Sequence, residues 1–162
     1  MQPEAGAPGD FALEEFLPYR LSLVTNRTSR LFARRYSAAF GVSIAEWRVL
    51  AVVGRFGGLS ATAVVERTAM DKVKVSRAVQ ALLRRGLLRR EGDAADRRVQ
   101  RLALTEAGQR VHAGIVPLAR GLEAELLAGL APPERAALVR LLETLEARLA
   151  AMGAGPEAEG PD

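Results

Sequence analysis

Cysteine is absent from this sequence, and histidine occurs only once. The missing thiols exclude disulfides, thiolate nucleophiles, thiol redox sensing and zinc sites with cysteine ligands. The single histidine, His112, cannot form a metal-binding cluster, so we interpret it as a helix-surface or packing residue. No apolar run reaches the roughly 18 residues of a membrane span, and residues 1–10 lack the charged and apolar regions of a signal peptide. We therefore expect a cytoplasmic protein without cofactor, metal or membrane contact.

Signals for an enzyme are also missing. Glu123 and Glu125 are two residues apart and do not share a helix face, so they predict no catalytic pair of carboxylates. The glycine-rich segment 54–60 (GRFGGLS) follows a helix and has no lysine, which excludes a phosphate-binding loop. Aromatic residues are scarce, at 5% of the chain, whereas Ala, Leu and Arg are abundant. This composition favours helices packed on helices, in one domain or in one small domain extended by further helices.

Pro and Gly are concentrated at both ends of the chain, where residues 1–10 and 153–162 are expected to form flexible tails. Between them, helical spacing of apolar residues predicts a first helix from Phe11 to about Phe40, ended by a glycine. Pro18 either kinks this helix or marks its true start. The apolar positions are Leu17, Leu21, Val24, Leu31, Tyr36 and Ala39.

Helix-capping residues divide the next part of the chain. Ser43 and Glu46 fit a capping box that begins a second helix, which ends at the glycines of GRFGG. Ser60 is placed to cap a short third helix, and Asp71 suits the positive end of a fourth. In the fourth helix, the spacing of Val75, Val79, Leu82 and Gly86 predicts the packed side. The outward residues are Val73, Arg77, Gln80 and Arg84, with Lys74 and Ser76 on the flanks.

A basic hairpin is predicted after the fourth helix. Gly86 ends the helix, and Leu87–Glu91 and Val99–Leu104 have the pattern of two short strands. The loop GDAADRR between them is too long for a two-residue turn, so it projects as a wing that carries Arg97 and Arg98. Residues 70–104 contain ten Lys or Arg and four acids, a net charge of +6, whereas the whole chain is +4. The positive charge is therefore concentrated here, which indicates an anionic partner.

Two further helices are predicted after the hairpin. Thr105 caps the fifth, which we expect to be interrupted by Pro117 and several glycines, and Pro132 opens a sixth that runs to about Met152. The apolar stripe of the sixth helix exceeds what a domain of about 60 residues needs for its core. We therefore expect the first and last helices to pack across a two-fold dimer. The stripe comprises Ala137, Leu138, Leu141, Leu142, Leu145 and Leu149.

Four segments resemble the MarR family of bacterial winged-helix transcriptional regulators: DKVKVSR (71–77), LLRRGLLRR (82–90), DRR (96–98) and LTEAG (104–108). Their order and spacing are similar to the family's over residues 11–151. The resemblance implies a dimer that binds a pseudo-palindromic duplex operator and represses until a small ligand releases it.

The same resemblance assigns roles to individual residues. It implies that the fourth helix enters the major groove, that Asp96 braces the wing, and that Arg97 reaches the minor groove. Arg77 either reads a base edge or grips phosphate, since half to two-thirds of protein–DNA hydrogen bonds go to the backbone. The arginines at 84, 85, 89 and 90 are either DNA contacts or a solvated basic rim. The candidate DNA-binding residues are Lys72, Val73, Lys74, Ser76, Arg77, Gln80, Arg97 and Arg98.

An effector pocket is also implied, because the first, second and fifth helices of this family enclose a cavity. Trp47 either lines that pocket or packs in the core. Ser22, Asn26 and Arg30 form a polar line along the first helix that faces either the pocket or water. The segments EWRVL and LPYRLSLVTNRTSR are similar to those of family members that sense aromatic acids or their coenzyme A thioesters, and the absence of cysteine excludes the redox-sensing branch.

The fold expected from the sequence is mainly α, a winged helix-turn-helix with a small β-hairpin wing framed by dimerisation helices. The expected divisions are a tail (1–10), an N-terminal dimerisation helix (11–42), a DNA-binding region (43–104), C-terminal dimerisation helices (105–152) and a second tail (153–162). The expected partners are double-stranded DNA, a second copy of the chain and a small-molecule effector. The alternatives are a helical protein–protein adaptor with a basic surface, and an enzyme with a convergent site that no motif indicates.

Overall fold

A computed structural model describes residues 11–92 and 100–153. It confirms the mainly α fold with a two-stranded wing. The predicted wing residues Asp96, Arg97 and Arg98 lie outside the described residues, as do residues 1–10 and 154–162. The elements are α1 (Leu17–Phe40), α2 (Ile44–Phe56), α3 (Ala61–Thr68), α4 (Lys72–Arg84), β1 (Leu88–Gly92), β2 (Gln100–Leu104), α5 (Glu106–Leu126) and α6 (Pro132–Ala151).

The helices begin where the capping residues predict. Glu46 N–H donates to Ser43 Oγ (3.1 Å), and Ser43 N–H donates to Glu46 Oε2 (2.7 Å), which completes the capping box of α2. Ser60, Asp71 and Thr105 each accept a hydrogen bond from the backbone N–H three residues later. Such bonds satisfy amides that have no partner within the helix. In α1, Pro18 lies in the first turn, so it marks the start of the helix rather than a kink.

Two details of the sequence prediction are wrong. The fifth helix is not interrupted: α5 continues from Glu106 to Leu126 with Pro117 inside it. Proline removes one backbone donor, and the burial of Ile115 and Leu122 on either side holds the helix in place. Gly86 is not on the packed side of α4, because the helix ends at Arg84 and Gly86 is exposed.

Gly86 instead ends α4 through its backbone. It has a φ of 65°, its N–H donates to Leu83 O (3.0 Å), and the N–H of Leu87 donates to Leu82 O (2.9 Å). This pair of bonds is the Schellman arrangement, in which a left-handed residue satisfies the last carbonyls of a helix. The chain therefore turns directly from α4 into the wing.

The core of the winged domain is formed by α2, α3, α4 and the wing strands. Its central side chains, Leu50, Val64 and Leu82, have no exposed surface. Strands β1 and β2 pair antiparallel, with Leu88 opposite Leu104. Complete burial of a large apolar side chain contributes about 1.5–3 kcal/mol to the stability of the fold. The other buried residues of this hydrophobic cluster, which extends to α1 and α5, are Tyr36, Val42, Val49, Val53, Val75, Ala78, Val79, Leu87, Leu88, Leu102, Ile115 and Leu122.

The segment LTEAG fixes the wing to α5. Thr105 Oγ1 donates to Gly86 O (2.6 Å) and accepts from Gly108 N–H (3.0 Å), while Thr105 N–H donates to Leu87 O (3.1 Å). A Cβ atom at Gly108 would overlap the carbonyl oxygen of Leu87. Position 108 therefore requires glycine because the backbone of the wing lies directly against the first turn of α5.

The outer helices contrast with this core. No residue of α6 is buried, and Leu141 and Leu149 of its apolar stripe are 58% and 50% exposed. Leu17 and Val24 of α1 are likewise exposed. Within the described ranges, no single helix is long and apolar enough to cross a membrane, and α1 and α2, which together have the required length and composition, meet at a bend of 77°.

Candidate nucleic-acid interface and effector cavity

The outward face of α4 consists of the residues that the sequence predicts as DNA contacts. Lys72, Val73, Lys74, Ser76, Arg77 and Gln80 are all exposed, whereas Val75, Ala78, Val79 and Leu82 are buried. Val73 is 58% exposed among cationic neighbours. An apolar group in that position is suited to a thymine methyl in the major groove. The face therefore combines positive charge, hydrogen-bond donors and one apolar contact.

The first turn of this face is held by Asp71. Its Oδ1 accepts from Lys74 N–H (2.7 Å), and its Oδ2 lies 3.1 Å from Lys74 Nζ. The backbone hydrogen bond from Lys74, followed by its side chain, keeps the pKa of Asp71 below its usual value. The side chains of Lys72, Arg77 and Gln80 make no hydrogen bond or ion pair with any described residue. Their polar groups are available to an external partner.

The basic residues of the wing do not all face solvent freely. Arg89 Nε donates to Glu91 Oε1 (2.8 Å), and Arg89 Nη1 donates to the carbonyl of Leu104 (3.0 Å) on the opposite strand. Arg101 Nη1 donates to Gly58 O (2.7 Å) and so ties the wing to the loop before α3. Arg89 therefore links the two strands of the wing although its side chain is 53% exposed. Sequence reasoning assigned no role to Arg101.

A cavity of about 430 Å³ lies between α1, α2 and α5. Its walls include three aromatic side chains, with ring centroids 5.9 Å apart for Phe32 and Tyr36 and 5.6 Å apart for Tyr36 and Trp47. The charged residues at the cavity are Arg48, Arg120 and Glu123. An aromatic cavity with a few charged groups is typical of small-molecule sites.

Burial shifts the pKa of two side chains here, Tyr36 in the wall of the cavity and His112 beside Trp47. Tyr36 is 1% exposed, and burial raises the pKa of its phenol, so it stays neutral near pH 7 and can donate a hydrogen bond. The ring of His112 lies 5.8 Å from that of Trp47, and burial lowers the pKa of His112. His112 also fills the space beside Gly54, where a Cβ atom would lie 2.8 Å from its ring. It therefore packs between α2 and α5.

The four predicted pocket residues occupy different places. Trp47 lines the cavity described above, whereas Asn26 and Arg30 line a second recess of about 430 Å³ on α1. The two spaces share Ser29 and Ile44, and Ser22 lines neither. Sequence reasoning missed two arginines: Arg48 directly follows Trp47 in EWRVL, whereas Arg120 is brought there by the packing of α5. Within residues 11–92 and 100–153, no group of three His, Cys, Asp or Glu side chains is arranged to hold a metal.

Comparisons with known proteins agree with this geometry. The family model described as "MarR family" matches residues 40–99. The transcriptional regulator HosA of Escherichia coli O157:H7 is 27% identical over 100 residues, which are 62% of this chain and 74% of HosA. Bordetella bronchiseptica BpsR, studied for regulation of its DNA binding by 6-hydroxynicotinic acid, is similar with a TM-score of 0.78 and 29% identity, over 85% of this chain and 98% of BpsR.

A further solved structure is a MarR-family transcriptional regulator from Silicibacter pomeroyi. It is 31% identical to this chain, with a TM-score of 0.69, over 86% of this chain and 92% of the other. The match therefore includes the framing helices as well as the winged domain. This extent of similarity, together with the exposed basic face of α4 and the wing, shows that the chain belongs to the MarR family of transcriptional regulators.

Proposed function

We propose that this regulator is a homodimeric repressor that binds a pseudo-palindromic duplex operator and is released by a small aromatic acid. The observation that carries the DNA-binding part is the outward face of α4, where six predicted contact residues are exposed on one side of a helix whose opposite side is buried. A helix presented in this way fits the major groove.

The arrangement of charge supports the same proposal. Residues 70–104 carry a net +6, while the rest of the chain is net negative. A concentrated positive surface attracts the phosphate backbone over several ångströms and accelerates association. Arg97 and Arg98 add to this charge at the wing, and their contacts with DNA stay a prediction.

Dimer formation is supported by apolar surface that one chain leaves uncovered. Leu138, Leu141 and Leu142 of α6 are each at least 39% exposed on one side of the helix. Leu17 and Val24 of α1 are also exposed. Covering these side chains with a second copy would bring two α4 helices to one duplex. Such a dimer reads half-sites separated by about one helical turn, near 10 base pairs.

The effector part rests on the cavity of Phe32, Tyr36 and Trp47. Its aromatic walls suit a planar ring, and Arg48 and Arg120 offer charge-assisted hydrogen bonds to a carboxylate. BpsR, whose DNA binding is regulated by 6-hydroxynicotinic acid, supplies the first compound to test.

The DNA-binding part is tested by selecting duplexes from a random library with the wild-type protein. Binding to the selected duplex should weaken steeply with salt, by about 10³–10⁵ in affinity between 50 and 200 mM for six to ten phosphate contacts. A scrambled duplex of equal length is the control. An adaptor protein would select no sequence and would bind the two duplexes equally weakly.

The effector part is tested through Trp47, the only tryptophan. 6-Hydroxynicotinate and benzoate should change its fluorescence and weaken binding to the selected duplex. Arg120→Ala should reduce the affinity for benzoate but not for uncharged phenol, while Arg110→Ala, on the outer surface of α5, is the matched control. If Arg120→Ala weakened the binding of benzoate and phenol equally, Arg120 would not bind the carboxylate of the effector.

A further inference from the structure

The arginine that follows the last residue of α4 is bound to the connection between α1 and α2. Arg85 Nη1 donates to Gly41 O (3.0 Å), and Arg85 Nη2 donates to Phe40 O (3.3 Å). Nη1 also lies 3.6 Å from Glu46 Oε1. One guanidinium therefore joins the C-terminal end of the DNA-facing helix to the end of α1 and to the first turn of α2.

The acceptors of Arg85 belong to the same elements that enclose the cavity. Glu46 uses its other oxygen, Oε2, to accept from Ser43 N–H (2.7 Å), so a single carboxylate caps α2 and faces Arg85. Trp47, the next residue, lines the cavity, and Tyr36 lines it one turn before Phe40. The distance along the chain from the Arg85 contacts to the cavity wall is thus one residue on α2 and four on α1.

We propose that Arg85 is a positioning residue that couples the cavity to α4. The proposal rests on the DNA-binding function proposed above and extends it to the route of regulation. Arg85 holds α4 in the orientation that binds DNA as long as α1 and α2 keep their present spacing. A ligand that separates these helices moves the carbonyls of residues 40 and 41 away from Glu46.

The geometry of the guanidinium makes this contact sensitive to spacing. Its donors lie in a rigid plane, so it binds several acceptors only when they keep fixed relative positions. Gly41 has a φ of 62°, which turns its backbone sharply between α1 and α2 and presents its carbonyl to Arg85. A small change at this turn therefore breaks the set of contacts or displaces α4. Discrete rearrangements of this kind are how shifts at an effector site reach a distant helix.

The adjacent arginine provides a matched control. Arg84 has the same charge and is exposed at the end of the same helix, and its side chain makes no hydrogen bond or ion pair with the described residues. If residues 84 and 85 both act only as positive charges near DNA, their substitutions should have equal effects. If Arg85 acts through its contacts with α1 and α2, only its substitution should weaken DNA binding without changing the salt slope and abolish the response of Trp47 to DNA.

The first measurement is the affinity for the duplex selected by the wild-type protein, as a function of salt. Arg85→Ala should weaken binding about tenfold or more, the cost of losing hydrogen bonds to a charged group, with an unchanged salt slope. Arg84→Ala should either have no effect or lower the slope by about one, as for a phosphate contact. Arg85→Lys keeps the charge but not the planar donors, so it should resemble Arg85→Ala.

The second measurement asks whether DNA is sensed at the cavity, because coupling between two sites is reciprocal. Acrylamide quenching of Trp47 should change when saturating selected duplex is added to the wild type and to Arg84→Ala. This change should be lost in Arg85→Lys and Arg85→Ala at saturating duplex. If Arg85→Ala fails to fold, as seen by circular dichroism, Arg85→Lys decides the result.

The outcomes separate the two proposals. A wild type that selects no duplex overturns the proposed DNA-binding function and the coupling with it. A wild type that binds DNA without any change in Trp47 quenching overturns the coupling alone. The same conclusion follows if Arg85→Lys keeps the wild-type response or if the salt slope of Arg85→Ala falls by about one, because Arg85 would then be a phosphate contact.

Discussion

The winged domain and α6 differ in how far their apolar side chains are exposed to solvent. In the winged domain, Leu50, Val64 and Leu82 have no exposed surface. In α6, Leu141 and Leu149 are at least half exposed, and no residue is buried. The first region therefore completes its core within one chain, whereas the second presents an apolar side that one chain leaves uncovered.

This difference separates two kinds of stability. A core enclosed by one chain stabilises the fold at any protein concentration, because its contacts are intramolecular. An apolar helix face covered by a second copy adds stability that increases with protein concentration. Substitutions in the two regions should therefore differ in their dependence on concentration, and the following predictions test that comparison from the largest expected effect to the smallest.

The largest effect is expected where α5 meets the wing. Gly108→Ala should lower the free energy of unfolding by about 4 kcal/mol or more, because the added Cβ overlaps a backbone carbonyl that cannot rotate away. Urea unfolding followed by circular dichroism measures this loss. Gly121→Ala is the control on the same helix, since nothing lies within 4 Å of its Cβ position. Alanine there should be neutral or stabilising by up to about 1 kcal/mol. Equal effects of the two substitutions would contradict the close contact between Gly108 and the Leu87 carbonyl.

The next prediction compares the two regions directly. Leu82→Ala should cost about 3 kcal/mol at every protein concentration, because it leaves a cavity in an enclosed core. Leu141→Ala should instead raise the dissociation constant of the proposed dimer about tenfold, or about 1.4 kcal/mol, with little change in the unfolding of the dissociated chain. Urea unfolding over a range of concentrations and analytical ultracentrifugation distinguish these results. A concentration-independent loss at Leu141 would show that α6 packs within its own chain.

Arg77 tests the surface of the winged domain rather than its core. Arg77→Ala should reduce discrimination at one position of each half-site by about 1–3 kcal/mol and leave the fold intact, because the side chain is exposed and has no partner among the described residues. Titrations against single-base variants of the selected duplex measure it. Uniform weakening across all variants would make Arg77 a phosphate contact.

Much of the fold follows from local signals in the sequence. The starts of α2, α3, α4 and α5 are set by side-chain caps that need only residues three positions apart, so Ser43, Ser60, Asp71 and Thr105 could be identified directly. The face of α4 follows from helical periodicity in the same way. The predicted interruption of the fifth helix at Pro117 was wrong, because tertiary packing on both sides of Pro117 outweighs the loss of one helical hydrogen bond.

The site was less predictable, since its contacts join distant parts of the chain. Arg85 looks like one of four similar arginines in LLRRGLLRR, and only the folded chain brings it to Gly41 and Phe40, more than 40 residues earlier. Arg120 reaches the cavity for the same reason. The roles of the wing residues 96–98 stay predictions, because these residues lie outside the described ranges.

The smallest effect is expected where α5 packs against the winged domain, at His112 beside Trp47 of α2. Burial lowers the pKa of His112, so the unfolded chain binds a proton more readily than the folded one. Stability from this side chain is therefore complete above its unfolded pKa, about 6.5, and is lost as pH falls through the lower folded pKa. Since the chain has no other histidine, His112→Gln should flatten the decrease in urea midpoint between about pH 7 and 5. A decrease that persists unchanged in the variant would assign the titration to another group and exclude His112 as its source.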